Sequence, residues 1–490
     1  MIQQPHNASI ISGLFTDFYE LTMMQGYLQQ DHNPQVIFDF FFRRPPFDGG
    51  YAVFAGLDTL LQALQQLHFS ADDLAFLRST GQFSDDFLRY LQQYRFSGRI
   101  YSLPEGSLVF PREPILRVHA PLAEAQLIEG LLLNILNFQT LVATKAARMR
   151  EAAAGGPILE FGLRRAQGPD GALIASRAAF IGGAGATSNT LAGKIFGIPV
   201  RGTMAHSWIM AFESEEEAFR AYADLYPDSS IFLIDTFDTL GSGLQAAMKV
   251  GAELSEQGRP WGVRLDSGDL TYLSQEVRAR LDAAGFPEAT IVVSNELNEH
   301  IIHQLVSDKA PIDSWGVGTR MVTAEGDPSL TGVFKLCAKR TGHNGSFAPV
   351  IKLSNNPEKT TDPGIKQVYR YTDEAGYYTA DLIALEDEDI PTEGTIRLFH
   401  PVVSYGFYDL HHYRSCTPLL QLVMDEGMIC QDLPGIQEVQ AYAAAELQRL
   451  HPTFKRLLNP HTYKVSFSRG LRSLKYDMTE KLLGHHHTSP

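Results

Sequence analysis

The residues with the clearest chemical potential in this sequence follow short apolar runs. "IPVRGTMAHSWIMAF", residues 198–212, sets His206 behind Gly202, Thr203, Met204 and Ala205. Small neighbours leave the imidazole room, and a neutral imidazole is both a nucleophile and a base. "RLDSGDL" sets Arg264, Asp266 and Asp269 after another apolar run. Two carboxylates with a flexible Ser-Gly between them suit ribose hydroxyls, or Mg²⁺ held jointly with substrate phosphates. Arg264 supplies a planar fork for a carboxylate or phosphate. The plainer reading is a helix-capping aspartate with a surface ion pair. "LIDTFDT" adds Asp235, which can fix the tautomer of a nearby imidazole, and "EFGLRRA" adds Glu160, Phe161, Arg164 and Arg165.

Two glycine-rich stretches, "FIGGAGATSNTLAGKIFG" and "GVGT" at 316–319, point to loops whose N–H groups cradle an anion. A tight turn that needs glycine's freedom explains either one equally well. Two such loops on one rim favour a phosphate-rich ligand. Other chemistries lack their signatures: there is no G-x-S-x-G elbow, Walker A sequence or opening GxGxxG. Lys194 and Lys352 have flanks that give no support for a Schiff-base role.

Elements that position these residues follow from a repeat. Apolar runs at Ile231, Trp261 and Ile291 start 30 residues apart, each ending in polar residues before a helix-like segment. Looser members begin at Pro157, Ala178, Ile198, Ile312 and Ala348. Alternating strands and helices imply right-handed βαβ units and a parallel sheet. The regular period favours closure into an α/β barrel, with an open doubly wound sheet as the alternative. In both, ligands bind at the carboxyl ends of strands, which puts His206 on the functional rim. The first 150 residues read differently, with a strand–turn–strand in "VIFDFFFRRPPFDGGYAVFAGL" and helical patterns over 57–95 and 121–153. After Gly364, "KQVYRYT" and "YYTADLIAL" read as strands and "EVQAYAAAELQRLH" as an amphipathic helix. The expected division is an N-terminal α+β domain over 1–154 and a barrel with the active site over 155–355. A post-barrel region over 356–490 returns in part to the α+β domain and ends in a helical extension.

Composition bounds the function. With 490 residues, 44 % hydrophobic and 20 % charged, the chain describes a globular protein of several domains. A net charge of −15 argues against nucleic acid or an anionic membrane surface as partner, yet leaves room for small phosphorylated ligands. Cys337, Cys416 and Cys430 lie far apart, without metal or disulfide spacing. The start "MIQQPHNASIISGLF" has no basic segment or cleavage site, and no run approaches membrane-spanning length. A cytoplasmic location is therefore expected. The triplet His485–His487 is given no metal role.

Taken together the motifs resemble the nicotinate phosphoribosyltransferase family. They are "TDFYELTM" at 16–23, "FDFFFRRPPF" at 38–47, "EFGLRRAQG" at 160–168, "GATSNTLAG", "GTMAHS", "RLDSGD", "GVGT" and "KLSNNPEKTTDPGIKQVYR" at 352–370. The resemblance implies an α/β fold, the irregular barrel of type II phosphoribosyltransferases joined to an α+β domain. It implies that nicotinate attacks phosphoribosyl pyrophosphate to give nicotinate mononucleotide and pyrophosphate, coupled to ATP hydrolysis through a phosphohistidine at His206. By the same resemblance Asp235 orients His206, Asp266 and Asp269 serve the ribose and Mg²⁺ (or Mn²⁺) side, and Arg164 serves the pyrophosphate. Ser294, Asn295, Gly316, Gly318 and Thr319 hold the nucleotide's phosphate and ribose, and Thr203 lies among the substrate contacts. Phe161 and Tyr19 sandwich the pyridine ring, with the tyrosine from a second subunit of a homodimer. Asn189 stands where nicotinamide-using relatives carry an aspartate, so nicotinate is the expected substrate, with Arg264 available to its carboxylate. A nicotinamide or quinolinate phosphoribosyltransferase, or a non-catalytic barrel that binds phosphorylated ligands, are the alternatives.

Overall fold

The computed structural model describes residues 12–342, 345–356, 359–403 and 405–486, with only the backbone of the last two. His487 lies outside the described residues, as do residues 1–11 of the opening stretch. The chain divides into two compact units, residues 142–328 and residues 1–141 with 329–490.

The unit of residues 142–328 is built on six parallel strands: β1 (Ile158–Glu160), β2 (Ala186–Thr187), β3 (Ser230–Leu233), β4 (Trp261–Leu265), β5 (Thr290–Val293) and β6 (Ser314–Val317). Their order in the sheet is β2-β1-β6-β5-β4-β3. The 30-residue repeat of the sequence is the run β3, β4, β5, three adjacent strands. Between them lie the helices Leu244–Glu256 and Leu270–Ala283. Strands such as "WGVRL" and "TIVV" are apolar nearly throughout because a parallel sheet is covered on both faces. Val263, Leu265, Ile291 and Val293 are all fully buried. No hydrogen-bonded pairing joins β2 to β3 among the described residues, so the ladder has two ends. A parallel bridge from Thr187 to Val200 extends the β2 edge.

The other unit carries mostly antiparallel strands. Gln35–Phe42 pairs with both Leu116–Pro121 and Gly332–Arg340. Lys366–Thr372 pairs with Tyr378–Leu385, and Ile436–Arg449 is helical. The division differs from the sequence expectation at both borders. Gly332–Arg340 and Phe347–Pro349, expected inside the barrel, pair antiparallel with each other in this unit. Residues 142–154, expected in the N-terminal domain, group with the parallel sheet. Both shifts reflect strand and helix partners that lie far away in sequence. Ala52–Val53 likewise joins Leu108–Val109 and forms no hairpin with Gln35–Phe42. Among the described residues, no helix is long and apolar enough to cross a membrane.

Candidate active site

The carboxyl ends of β3 and β4 converge on one imidazole. His206 opens the short helix His206–Met210, and its side chain is 41 % exposed. Its Nδ1 lies 3.1 Å from the Thr236 hydroxyl. Its Nε2 faces two carboxylates, Asp235 Oδ1 at 4.0 Å and Asp266 Oδ2 at 3.9 Å. Asp235, just beyond β3, is only 1 % exposed in its side chain. Its Oδ2 accepts from the Asp266 amide at 3.1 Å and the Ser267 hydroxyl at 2.5 Å. Its Oδ1 is buried and has no hydrogen-bond partner among the described residues. A buried acceptor without a donor is costly, and the imidazole Nε2 stands 4.0 Å from it. Asp235 and His206 thus come together as the sequence suggested. Thr236, however, makes the direct contact.

Arg264, the fourth residue of β4, organises the next part of the rim. Its Nε donates to Ser294 Oγ at 2.8 Å, and its Nη1 donates to Thr203 Oγ1 at 2.9 Å and Met204 O at 3.2 Å. Its Nη2 reaches Asp266 Oδ1 at 2.8 Å, and Ser294 Oγ donates to the same oxygen. Burial opposes ionisation of Asp266. The Ser294 hydroxyl, the Arg264 guanidinium and His206 more than offset it and hold the carboxyl below its ordinary value. Asp266 is therefore an anion at neutral pH, held in a fixed place. Thr203, Arg264, Asp266 and Ser294 form one network, and the guanidinium's charge is already shared with Asp266. Asp269 takes the plainer role as well, since its Oδ1 caps the helix Leu270–Ala283 through the Tyr272 amide at 3.1 Å.

On the other side of the sheet Phe161 follows β1, and its amide donates to Val317 O at 2.8 Å. A Cβ on Gly316 would stand 2.8 Å from the Phe161 ring, and one on Gly318 would stand 3.0 Å from Phe161 O. These two glycines therefore permit the close approach of Phe161. Glu160 is fully buried and accepts from the Gly162 amide, the Thr187 hydroxyl and, at 2.8 Å, the Ser176 hydroxyl. Arg164 and Arg165 are exposed, with no side-chain hydrogen bond or ion pair among the described residues.

The loop read as an anion cradle is otherwise engaged. The amides of Gly182, Gly183, Ala184, Gly185, Thr187 and Ser188 donate to backbone carbonyls. The Asn189 amide donates to Thr187 Oγ1 at 2.9 Å. Asn189, 3 % exposed, caps the helix Thr190–Phe196 through Oδ1. Its Nδ2 donates to Ser176 Oγ at 3.2 Å and Ala172 O at 3.4 Å. Both amide hydrogens are thus occupied within the protein.

Asn295 has φ 119°, a region that strains a side-chain-bearing residue. Asn295, Glu296, Asp269 and Arg320 line an open cleft of about 410 Å³. Thr319 Oγ1 donates to Glu296 Oε1 at 3.1 Å, tying the loop after β6 to the loop after β5. Tyr19 sits in the helix Phe18–Gln29 of the other unit, 50 % exposed. Burial, then Glu129, Glu20 and Asp17, push its phenol up to about 12. Thr236, Ser267, Glu296 and Arg320 escaped the reading of the sequence. The one local signal was the position of Thr236, directly after an aspartate at a strand end.

Three family descriptions cover most of the chain. They are the nicotinate phosphoribosyltransferase N-terminal domain at residues 14–137, the nicotinate phosphoribosyltransferase family at 157–378 and its C-terminal domain at 365–475. The nicotinate phosphoribosyltransferase of Bacillus subtilis (strain 168) is 44 % identical over 472 residues, covering 94 % of each chain. The chain belongs to the nicotinate phosphoribosyltransferase family and is an enzyme of that type. The Homo sapiens nicotinate phosphoribosyltransferase is 35 % identical over 96 % of this chain and 97 % of its own. The crystal structure of human nicotinic acid phosphoribosyltransferase matches with TM-score 0.82 and 32 % identity, over 94 % of this chain and 99 % of that one. A nicotinate-nucleotide pyrophosphorylase from Pyrococcus furiosus, at 22 % identity and TM-score 0.70, shares the fold.

Proposed function

We propose that this chain joins nicotinate to the ribose of phosphoribosyl pyrophosphate, releasing pyrophosphate, with ATP hydrolysed through a phosphohistidine at His206, in salvage synthesis of NAD. The observation that carries the reading is the cluster of His206, Asp235, Asp266 and Arg264 at the ends of β3 and β4, in a chain of this family. Loss of pyrophosphate builds positive charge on the ribose, and an anionic Asp266, already fixed by Arg264 and Ser294, stabilises it without reorganising. Arg164, exposed and unpartnered among the described residues, suits the departing pyrophosphate. Ser294, Asn295, Gly316, Gly318 and Thr319 suit the nucleotide's ribose and phosphate, and Phe161 suits one face of the pyridine. The parallel unit is read as the irregular barrel of the type II phosphoribosyltransferases, with an α+β domain beside it in sequence.

Among the described residues, no group of three or more His, Cys, Asp or Glu side chains forms a metal cage. That suits Mg²⁺ or Mn²⁺ carried in by substrate phosphates, which needs only one or two protein carboxylates; the exposed Asp269 is the fitting one. Such an ion, when bound, neutralises charge on the leaving phosphates. A cytoplasmic location is proposed on the same grounds as in the sequence.

The test is a substrate panel of nicotinate, nicotinamide and quinolinate, each supplied with phosphoribosyl pyrophosphate. Asn189 adds no negative charge to the rim, so nicotinate should exceed nicotinamide by about 100-fold in kcat/KM, an effect of roughly 3 kcal/mol. Comparable values for the two would overturn the assignment.

Tyr19, exposed beside an equally exposed Phe18, suits a homodimer in which it serves the pyridine site of a second copy. Tyr19→Ala should raise the nicotinate KM, since a stacking face is worth roughly 1 kcal/mol. Mixing Tyr19→Ala with Asp266→Ala protein under subunit exchange should restore activity through hybrid dimers. No recovery would mean that Tyr19 does not act across an interface.

A further inference from the structure

We propose that Lys145 is a positioning residue for the nucleotide end of the rim. Its buried ammonium ties the segment after β5 to the segment after β6, and so fixes Asn295 and Thr319. The inference rests on the functional reading above, in which those two residues hold the ribose and phosphate, and adds the group that sets their geometry.

The tie lies within the unit of residues 142–328. Lys145 and Arg148 stand one turn apart on the helix Glu129–Ala152, and both are buried. Lys145 Nζ pairs with Glu299 Oε2 at 2.7 Å and donates to Glu325 O at 2.7 Å. Glu299 opens the helix Glu299–Ser307, shortly beyond Asn295, while Glu325 follows β6 and Thr319. One nitrogen thus holds two segments whose strands are paired neighbours in the sheet. Glu299 is anchored in turn, since Arg148 Nε donates to its Oε1 at 3.1 Å. Burial opposes ionisation of Glu299. Lys145 and Arg148 more than offset it and hold the carboxyl below its ordinary value.

Toward solvent the same two segments are tied again. Asn298 Nδ2 donates to Glu325 Oε2 at 3.4 Å. Arg320 pairs with Glu325 and, at 3.6 Å, with Glu296, which accepts from Thr319. Exposed pairs of this kind are each worth little. Breaking the buried contact strands an ion away from water, so that contact sets the geometry which the outer pairs follow. Asn295 is where such a constraint is needed. Its φ of 119° persists only where the surroundings over-determine it. The Leu297 amide closes the turn onto Asn295 O at 2.8 Å, just before the segment that Lys145 holds.

The experiment is steady-state kinetics of full-length Lys145→Met, with nicotinate and phosphoribosyl pyrophosphate each varied, beside amide hydrogen exchange. Methionine keeps an unbranched chain in the space, and Arg148 stays on Glu299, so the carboxylate retains a partner. The KM for phosphoribosyl pyrophosphate should rise about tenfold, while kcat and the nicotinate KM change less than about threefold. Exchange at the Leu297 and Glu325 amides should quicken by at least about tenfold. A lysine that served only the fold would lower the melting temperature and leave every KM of the folded enzyme unchanged. That pattern would overturn the proposal, as would a defect confined to kcat. Should Lys145→Met fail to fold, Asn298→Ser keeps the helix cap but drops the donor to Glu325. It should raise the same KM about threefold, and an unchanged value overturns the tie. Absence of any phosphoribosyl transfer in the unmodified protein would instead sink the functional reading, and amide exchange would still decide whether Lys145 fixes the two segments.

Discussion

His206→Ala is expected to show no ATP-stimulated turnover and no acid-labile, base-stable phosphoprotein, while slow ATP-independent synthesis survives. The side chain is 41 % exposed, and among the described residues its single hydrogen-bonding neighbour is Thr236. Its removal should therefore cost no more than about 1 kcal/mol of stability, the usual worth of one hydrogen bond. The measurements are radiolabel from ATP retained on protein, the ratio of ATP-coupled to uncoupled rate, and a thermal melt. A histidine that served only the fold would give the opposite pattern, with lost stability and an intact coupling ratio. Undiminished coupling in the variant would remove His206 from the mechanism.

Asn189→Asp should produce the second large effect, mainly on stability. The new carboxylate keeps the acceptor that caps the Ala192 amide but loses both donors, to Ala172 O and Ser176 Oγ. It would also share Ser176 with the buried Glu160, two carboxylates competing for one hydroxyl. An uncompensated charge at a position 3 % exposed should cost about 3 kcal/mol. The sign with pH follows from linkage. Burial raises the folded-state pKa of the introduced Asp above its unfolded value of about 4. The part of the deficit due to charge should thus be absent below pH about 4, grow as pH rises from there to the folded pKa, and stay complete above it. Denaturant midpoints across that range measure it. The same charge disfavours an anionic substrate, so kcat/KM for nicotinate should fall further than that for nicotinamide. A variant as stable as the parent at pH 7 would contradict the hydrogen bonds assigned to Asn189.

These expectations separate what was legible early from what was not. Asp269 carried both a capping reading and a ligand reading in the sequence, and Asn189 a ligand reading alone. The structure gives each its cap, through Tyr272 and Ala192, because a cap needs only backbone three residues away. At the anion cradle expected over residues 182–190, the amides of Gly182, Gly183 and Ala184 are met by carbonyls of the preceding helix, and those of Gly185, Thr187 and Ser188 by carbonyls from other segments. The second group, Ile158, Pro199 and Glu160, is brought near only by the packed sheet. Gly316 and Gly318 read as phosphate-loop glycines; Phe161 packs where their Cβ atoms would be.

The sequence by itself determined the βαβ rhythm, because apolar alternation and strand-end punctuation are written within windows of about 30 residues. It also placed His206, Asp235 and Asp266 on one rim, since parallel βαβ units send every strand's carboxyl end the same way. Tertiary structure alone decided the partners. Arg264 finds Thr203 and Ser294, and His206 finds Thr236, across 30 to 61 residues of chain. Gln35–Phe42 finds Gly332–Arg340 across 290 to 303 residues of chain. A hydrogen bond between side chains so far apart leaves no periodicity in the sequence. It forms only when packing brings the groups within about 3 Å and strips them of water, so that each must find the other.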